Sequence, residues 1–360
     1  MPDKAKKGAL RNSKMKMNLK QQEEGKNFMN EKNENKPIKQ VAIACQGGGS
    51  HASFTAGALK KILREKQNLR EKGYEIGALS GTSGGAICAL LAWSALLTNN
   101  EDKGVELLDS FWRDNATHSF WEMFLNEWMI WLSRTSMPEV SPYFYPPWAK
   151  EHLRQLLVKH VDFEKIKQLL AEEFIEKSRP VKPMLFVGAV EVCSGQFKVF
   201  KNAEITVEAI LASAAIPSLF RAVRIGNEVY WDGLFSQNPP LRNFFQEIDF
   251  LEKPSEIWVI QLEPQTREKE PTTIEEIKDR RNELAGNLSL NQEKDFIKTV
   301  NKWLEKGFLP GDKYKLVEIK EIEMNRDLDY SSKLDRSPPF IYDLMAYGEE
   351  QAENFLKQLP

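Results

Sequence analysis

The sequence contains few of the side chains that bind metals or form disulfides. It has three cysteines and four histidines among 360 residues. Cys45, Cys88 and Cys193 form no Cys-x-x-Cys pair. This pattern argues against a disulfide framework or a zinc site, and it favours a reducing compartment. We therefore expect neither structural disulfides nor a zinc site.

The sequence also lacks a long apolar run and a strong net charge. Its longest apolar run, residues 86–97, is shorter than the about 20 residues that a membrane-spanning helix needs. No secretory signal is evident at the N-terminus. A net charge of −2 gives no general attraction to nucleic acid. We expect a cytoplasmic protein without a nucleic-acid partner, and peripheral contact with a membrane surface is compatible with these features.

The composition divides the chain into three predicted segments. Residues 1–37 are polar and rich in lysine and asparagine, so they are predicted to form a disordered basic tail. Residues 38–265 carry short apolar strands, glycine-rich turns and apolar helices, which is the pattern of an α/β domain. Residues 266–360 are predicted to form a helical extension that packs on the same domain.

The main motif is the stretch Gly81-Thr82-Ser83-Gly84-Gly85, which lies between an apolar strand and an apolar helix. In such a Gly-x-Ser-x-Gly elbow the serine hydroxyl is exposed on a sharp turn, and small neighbours let strand and helix pack closely. The helix that follows directs its N–H groups and its positive dipole end toward the same place. Ser83 is therefore the candidate nucleophile, with Gly81 and Gly85 as the elbow glycines.

A second glycine-rich turn follows the first predicted strand, Val41–Cys45. Gly47, Gly48 and Gly49 there precede a predicted helix, so their backbone N–H groups can converge on an anion. A P-loop is excluded because the required lysine is missing, and a dinucleotide site lacks its acidic residue at the end of a second strand. An oxyanion hole for a nearby nucleophile is the favoured interpretation.

The distribution of histidine limits the mechanism. The four histidines are His51, His118, His152 and His160. Serine hydrolases with this elbow place the acid and then the histidine after the serine, and no histidine follows Asp232 at the end of a predicted strand. The economical hypothesis is a dyad in which Asp232 deprotonates Ser83 directly, although Asp-Gly is also a common turn pair. A carboxylate base should work below the pH at which histidine, pKa about 6.5, becomes protonated.

Aromatic residues are concentrated in residues 100–150, which contain five of the nine tryptophans. Trp128 and Trp131 recur with neighbouring phenylalanines at helical spacing, as on one face of a helix. Two interpretations stay open. The segment is either an apolar cap, or lid, over a lipid-accepting pocket, or ordinary core packing.

Four motifs in this order resemble those of the patatin-like phospholipases. They are Gly47-Gly48-Gly49, the Ser83 elbow, residues 212–217 and Asp232-Gly233. The resemblance covers about residues 41–245, and it points to a bacterial subgroup with an extra C-terminal region of unassigned role. It implies a three-layer α/β/α fold with a mostly parallel central sheet. It also implies Ser83 as nucleophile, Asp232 as base and the glycine triplet as oxyanion hole.

The sequence departs from the family pattern after the glycine triplet. Many members have a basic residue and then glycine, where this chain has His51 and Ala52. Two roles for His51 stay open: an auxiliary donor near the oxyanion, or a cap of the following helix.

The resemblance implies a serine acyl-ester hydrolase that cleaves fatty-acyl esters of lipids or phospholipids through an acyl-enzyme. We expect this reaction to need neither a metal nor a cofactor. The expected partner is thus a lipid or fatty-acyl ester substrate. Two alternatives remain. One is an acyltransferase that uses the same site, and the other is a catalytically silent lipid-binding or interaction protein.

Overall fold

The computed structural model describes residues 38–117, 122–123, 126–127, 141–144, 146–177, 183–217, 219–326 and 328–360. The predicted tail, residues 1–37, lies outside the described residues, as do Trp128 and Trp131 of the predicted cap. In the described ranges no helix is long and apolar enough to cross a bilayer.

A mostly parallel sheet lies at the centre of the fold. Its strands are β1 (Lys39–Cys45), β2 (Tyr74–Gly81), β3 (Met184–Glu191), β4 (Phe197–Lys201), β5 (Val223–Ile225), β6 (Glu228–Asp232), β7 (Glu256–Gln261) and β8 (Glu318–Glu323). The order is β5-β6-β3-β2-β1-β7-β8, with β4 paired to β3. Pairs among β1, β2, β3, β7 and β8 are parallel, whereas β4, β5 and β6 join by antiparallel pairs.

The helices occupy both faces of this sheet. They are α1 (Ala52–Arg64), α2 (Lys66–Glu71), α3 (Gly84–Leu96), α4 (Glu101–Asn115), α5 (Trp148–His160), α6 (Phe163–Lys177), α7 (Val207–Ser213), α8 (Asn243–Gln246), α9 (Ile274–Glu305) and α10 (Pro338–Lys357). Because successive side chains of a strand point to opposite faces, β1 contributes Val41 and Ile43 to one core and Ala42 and Ala44 to the other. The predicted three-layer α/β/α architecture is confirmed.

The C-terminal region contributes a strand to this sheet as well as helices that pack against it. Strand β8 pairs along all of β7, so the predicted helical extension also contributes an edge strand. Helix α10 packs on α1 so closely that a Cβ atom on Gly348 would lie 2.0 Å from the backbone oxygen of Phe54. Glycine is therefore required at this crossing.

Helix α9 buries several polar side chains against the rest of the protein. Glu283, Asn287, Glu293 and Lys294 are all buried on it, although surface helices usually bury an apolar stripe. Each has a polar partner: Glu293, for example, accepts from Gln237 Nε2 at 2.7 Å. These buried polar groups hold loops that lead to the candidate site.

Candidate active site

The predicted nucleophile lies on a strained turn between β2 and α3. Ser83 has φ 57° and ψ −129°, a conformation that L-residues with side chains rarely adopt and that costs about 1–3 kcal/mol. A Cβ atom on Gly85 would lie 2.3 Å from the backbone oxygen of Cys45. The glycine therefore lets α3 approach the end of β1, and this close approach gives the sharp elbow that the motif predicts.

The backbone of the elbow is fixed by a second serine. Ser83 N donates to Ser213 Oγ at 3.0 Å, and Ser213 Oγ donates to the Gly188 carbonyl at 2.7 Å. Ser213 is the last residue of α7 and lies in the third of the four predicted motifs. Its hydroxyl thus connects the nucleophile turn to β3.

Asp232 ends β6 and is 1% exposed. Its N–H donates to the Ala215 carbonyl at 3.0 Å, and its Oδ1 accepts from Leu234 N at 2.8 Å. The other oxygen, Oδ2, is buried and has no hydrogen-bond partner at regular geometry within the described part of the chain. A buried acceptor without a partner destabilises the fold, and buried polar atoms of this kind often have a functional role.

The structure brings Ser83 and Asp232 together. Burial raises the pKa of Asp232 to about 7, and the Ser83 hydroxyl, the Leu234 N–H and the charge of Lys333 each lower it by a smaller amount. The expectation that a carboxylate base would stay ionised well below the pKa of histidine is therefore wrong here. Burial gives this carboxyl a pKa in the range of an ordinary histidine.

The glycine triplet lies against the elbow, but its three N–H groups are not equivalent. Gly47 N donates to the buried Asn238 Oδ1 at 2.7 Å, so the prediction that Gly47 supplies an oxyanion donor is corrected. Gly48 and Gly49 N–H have no acceptor within the described part of the chain. The candidate oxyanion donors are therefore the N–H groups of Gly48 and Gly49.

His51 follows the triplet and is 2% exposed. Its side chain makes no helix-capping hydrogen bond, so the capping interpretation is wrong. Its Nε2 lies 2.7 Å from Ser332 Oγ, and that hydroxyl donates its hydrogen to the Asp329 carbonyl at 2.6 Å. His51 therefore carries its proton on Nε2. Burial lowers its pKa to about 3, so the ring stays neutral.

Polar residues beyond the motifs support the same loop. Gln46 Oε1 accepts from the backbone N–H groups of Leu262 and Glu263 at 2.8 and 2.9 Å. Its Nε2 donates to Asn287 Oδ1 of α9 at 2.9 Å. Asn238 and Asn287 could not be predicted from the sequence, because an asparagine far along the chain carries no local signal of its partner.

The remaining histidines take no part in the described site. His160 lies on α5 with its Nε2 at 2.8 Å from Asp114 Oδ2 of α4, His152 is exposed on the same helix, and His118 lies outside the described residues. In the described ranges no group of three His, Cys, Asp or Glu side chains is placed to hold a metal ion.

Part of the predicted aromatic cap is described, and it divides into two groups. Phe111 and Trp112 of α4 are buried in the core, as the core-packing interpretation expects, whereas two later aromatic residues are exposed. Phe144 and Trp148 are 85% and 74% exposed. Arg221 fixes the loop before them by donating from Nε to the Pro142 carbonyl at 3.1 Å. The cap over a lipid-accepting pocket stays a prediction.

Comparison with known proteins gives one family. A family model described as patatin-like phospholipase matches residues 43–245, a range that contains every predicted site residue and confirms the resemblance. Comparison with curated proteins gives no match.

Similar solved structures are distant. VipD from Legionella pneumophila is 12% identical with a TM-score of 0.43, and the match covers 90% of this chain and 67% of that chain. ExoU, in the ExoU–SpcU complex of the Pseudomonas aeruginosa type III secretion system, is 14% identical with a TM-score of 0.31 and coverages of 90% and 52%. The chain thus spans about half the length of that ExoU chain.

Proposed function

Because this chain belongs to the patatin-like phospholipase family, we propose that it hydrolyses fatty-acyl esters of lipids with Ser83 as nucleophile and Asp232 as base. Family membership implies lipid acyl hydrolase activity. The dyad, the acyl-enzyme and the oxyanion donors are parts of the proposal, and the geometry of the site supports the dyad and the donors.

The proposed reaction has two halves. Ser83 Oγ attacks the ester carbonyl carbon while Asp232 takes the hydroxyl proton, and the tetrahedral oxyanion accepts hydrogen bonds from Gly48 and Gly49 N–H. The ester bond to the alcohol breaks, and the alcohol leaves with the proton from Asp232. Water then attacks the acyl-enzyme, Asp232 takes its proton, and collapse of the second intermediate releases the fatty acid and returns a proton to Ser83.

The observation that carries this proposal is the free Oδ2 atom of Asp232 beside a nucleophile on a strained elbow. The atom is buried and has no hydrogen-bond partner at regular geometry among the described residues, so it is available to take a proton. Its pKa of about 7 suits a general base near neutral pH, because proton transfer is most effective when the pKa lies near the working pH. Orientation by the Leu234 N–H leaves only this oxygen for the reaction.

A fluorophosphonate probe tests the nucleophile, because it reacts covalently with activated serines. We expect the probe to label the wild-type chain on Ser83 and to leave Ser83→Ala unlabelled. Ser94→Ala is the matched control, since Ser94 lies on the same helix with its hydroxyl bonded to the Leu91 carbonyl. Labelling of Ser83→Ala equal to that of the wild type would overturn the assignment.

A substrate panel then tests the reaction. Phospholipid, lysophospholipid, acylglycerol and p-nitrophenyl esters are compared by release of free fatty acid, with methanol added as an acyl acceptor. We expect release from at least one lipid class. Formation of methyl ester in place of fatty acid would indicate an acyltransferase, and a folded chain that binds these lipids but releases no fatty acid would indicate a silent lipid-binding protein.

A further inference from the structure

The glycine triplet has little internal support. Gly48 has φ −178° and ψ 29°, and Gly49 has φ +58°. Consecutive glycines adopt many other conformations at similar energy. The internal hydrogen bond from His51 N to the Gly48 carbonyl, 3.1 Å, orients the peptide that carries the Gly49 N–H. Fixed oxyanion donors are effective only when they are already aligned, so the triplet needs support from outside.

A short turn far along the chain, Tyr330–Leu334, lies directly on the triplet. We call it the 330–334 turn. A Cβ atom on Gly49 would lie 2.6 Å from the Lys333 carbonyl oxygen, so the two backbones are in contact. Asp329 caps this turn, because its Oδ1 accepts from Ser332 N at 2.8 Å. The surface that meets Gly49 is therefore itself held in place.

The 330–334 turn is connected to both residues that flank the triplet. On the C-terminal side, His51 Nε2–H donates to Ser332 Oγ at 2.7 Å. On the N-terminal side, Lys333 Nζ pairs with Glu263 Oε1 at 2.5 Å, and Glu263 N donates to Gln46 Oε1. The triplet is thus held at Gln46 and at His51 by one distant turn.

These connections are buried or partly buried, so water competes with them less than at the surface. The side chains of Lys333 and Glu263 are 13% and 3% exposed, and His51 is 2% exposed. Ser332 and Lys333 also lie outside residues 43–245, the range of the family model. The support therefore comes from the C-terminal region of this chain.

We propose that Ser332 and Lys333 are positioning residues of the oxyanion hole, which hold Gly48 and Gly49 N–H in place through His51 and Gln46. This inference rests on the proposed function for its effect on catalysis. It gives the C-terminal region a role, which is to hold the oxyanion loop in position. The proposed reacting atoms themselves all lie in the family-matched range. Neither residue is assigned contact with the substrate.

Ser332→Ala is the primary test, since it removes one hydrogen bond and leaves the Lys333–Glu263 pair intact. We expect kcat for a p-nitrophenyl ester to fall at least about 5-fold and at most about 100-fold, the value of one oxyanion donor. KM should stay unchanged. Ser332→Thr keeps the hydroxyl and should restore kcat. Ser289→Ala is the matched control, because that hydroxyl donates to the Gly286 carbonyl of its own helix.

A transition-state analogue separates positioning from general loss of structure. A trifluoromethyl ketone forms a tetrahedral adduct whose oxygen occupies the oxyanion hole. We expect its Ki to rise in Ser332→Ala by the same factor as kcat falls. The comparison compound is the matching ether, which lacks the ketone carbonyl and forms no adduct, and its Ki should be unchanged. Equal weakening of both inhibitors, or wild-type kcat in the folded variant, would overturn the proposal.

The other connection is tested with Lys333→Met combined with Glu263→Gln. The double variant avoids a buried unpaired charge, which would destabilise the fold by itself. Because the charge of Lys333 lowers the pKa of Asp232, kcat is compared at a pH at which the base is ionised in both proteins. We expect it to fall there with KM unchanged, as for Ser332→Ala. A double variant with wild-type kcat would remove Lys333 from the proposal.

Hydrogen–deuterium exchange gives a readout that needs no activity. We expect peptides that cover residues 46–51 to exchange faster in Ser332→Ala than in the wild type or in Ser289→Ala. If the wild-type chain hydrolyses no ester and binds no fluorophosphonate, the proposed function fails while this measurement still decides whether the turn holds the loop. Unchanged exchange would overturn the positioning role in either case.

Discussion

The two turns of the candidate site are stabilised in different ways. The Ser83 elbow is held by neighbours within the family-matched range, through the Gly85 contact with Cys45 and the hydrogen bond to Ser213. The glycine triplet is held by Asn238 within that range and, through its flanking residues Gln46 and His51, by Asn287 and Ser332 of the C-terminal region. The contacts that fix the elbow therefore all lie in the family-matched range, whereas the triplet also depends on contacts with residues much later in the chain.

The largest effect is expected from removing the chemistry at the elbow. Ser83→Ala and Asp232→Asn should each lower kcat at least about 10⁴-fold, and the double variant should be little worse than either, because a nucleophile and its base act as one unit. Steady-state kinetics of the folded variants measure this. His160→Ala should stay near wild-type activity, since its ring bonds Asp114. A loss at His160 equal to that at Ser83 would contradict the dyad.

Asp232→Asn should also change stability in a pH-dependent way. The pKa of Asp232 is raised from 3.8 to about 7 in the folded chain, so the wild type loses stability as the pH rises from about 4 to about 7. The full loss is about 4 kcal/mol at about 1.4 kcal/mol per pKa unit. Asparagine does not titrate, so the unfolding free energy of Asp232→Asn minus that of the wild type should be larger at pH 8 than at pH 5.

Urea denaturation at both pH values, with exposed Asp312→Asn as control, provides that measurement. The same pKa predicts an acid limb of kcat near pH 7 in the wild type, with activity lost as the pH falls and the base becomes protonated. A free-energy difference that is equal at pH 5 and pH 8 would show that burial does not raise this pKa.

Gly85→Ala tests how far the elbow depends on close packing. The new Cβ atom would lie 2.3 Å from the Cys45 carbonyl oxygen and 2.5 Å from that of Gln46, so the backbone must move, at roughly 3 kcal/mol or more. Thermal unfolding measures the loss. Gly311→Ala, where no atom lies within 4 Å of the new Cβ, should have little effect. Equal stability of both variants would mean that α3 can move away from the end of β1 at little cost in free energy.

The smallest effect concerns backbone strain at the nucleophile. Ser83→Gly should be about 1 kcal/mol more stable than Ser83→Ala, because glycine adopts a positive φ without the steric cost that alanine retains. Both variants lack the hydroxyl, so the comparison isolates the strain from the chemistry. Urea unfolding of the pair measures it, and an alanine variant as stable as the glycine variant would show that the turn relaxes.

The elbow and the sheet could be predicted because their signals are local. The run Val41–Cys45 predicts a buried strand, and Gly-x-Ser-x-Gly between a strand and a helix predicts the turn at Ser83. Asp232 could be inferred from the lack of any later histidine. These inferences need only neighbouring residues and chain order.

The support of the glycine triplet could not be predicted in the same way. Asn238 binds Gly47 and Ser332 binds His51 across 191 and 281 residues of sequence, and neither residue lies in a motif. The raised pKa of Asp232 also depends on burial by several elements, so an ordinary carboxylate pKa was the wrong starting point. Properties that arise only when distant segments meet need the folded structure.

The position of the 330–334 turn has a consequence for the order of biosynthesis. Ser83 and Asp232 leave the ribosome long before Ser332 and Lys333. A nascent chain that already carries both members of the proposed dyad therefore still lacks the turn that contacts Gly49, and its β7 edge is unpaired. On the proposed mechanism, the site reaches its full rate only after the C-terminal region has folded onto the sheet.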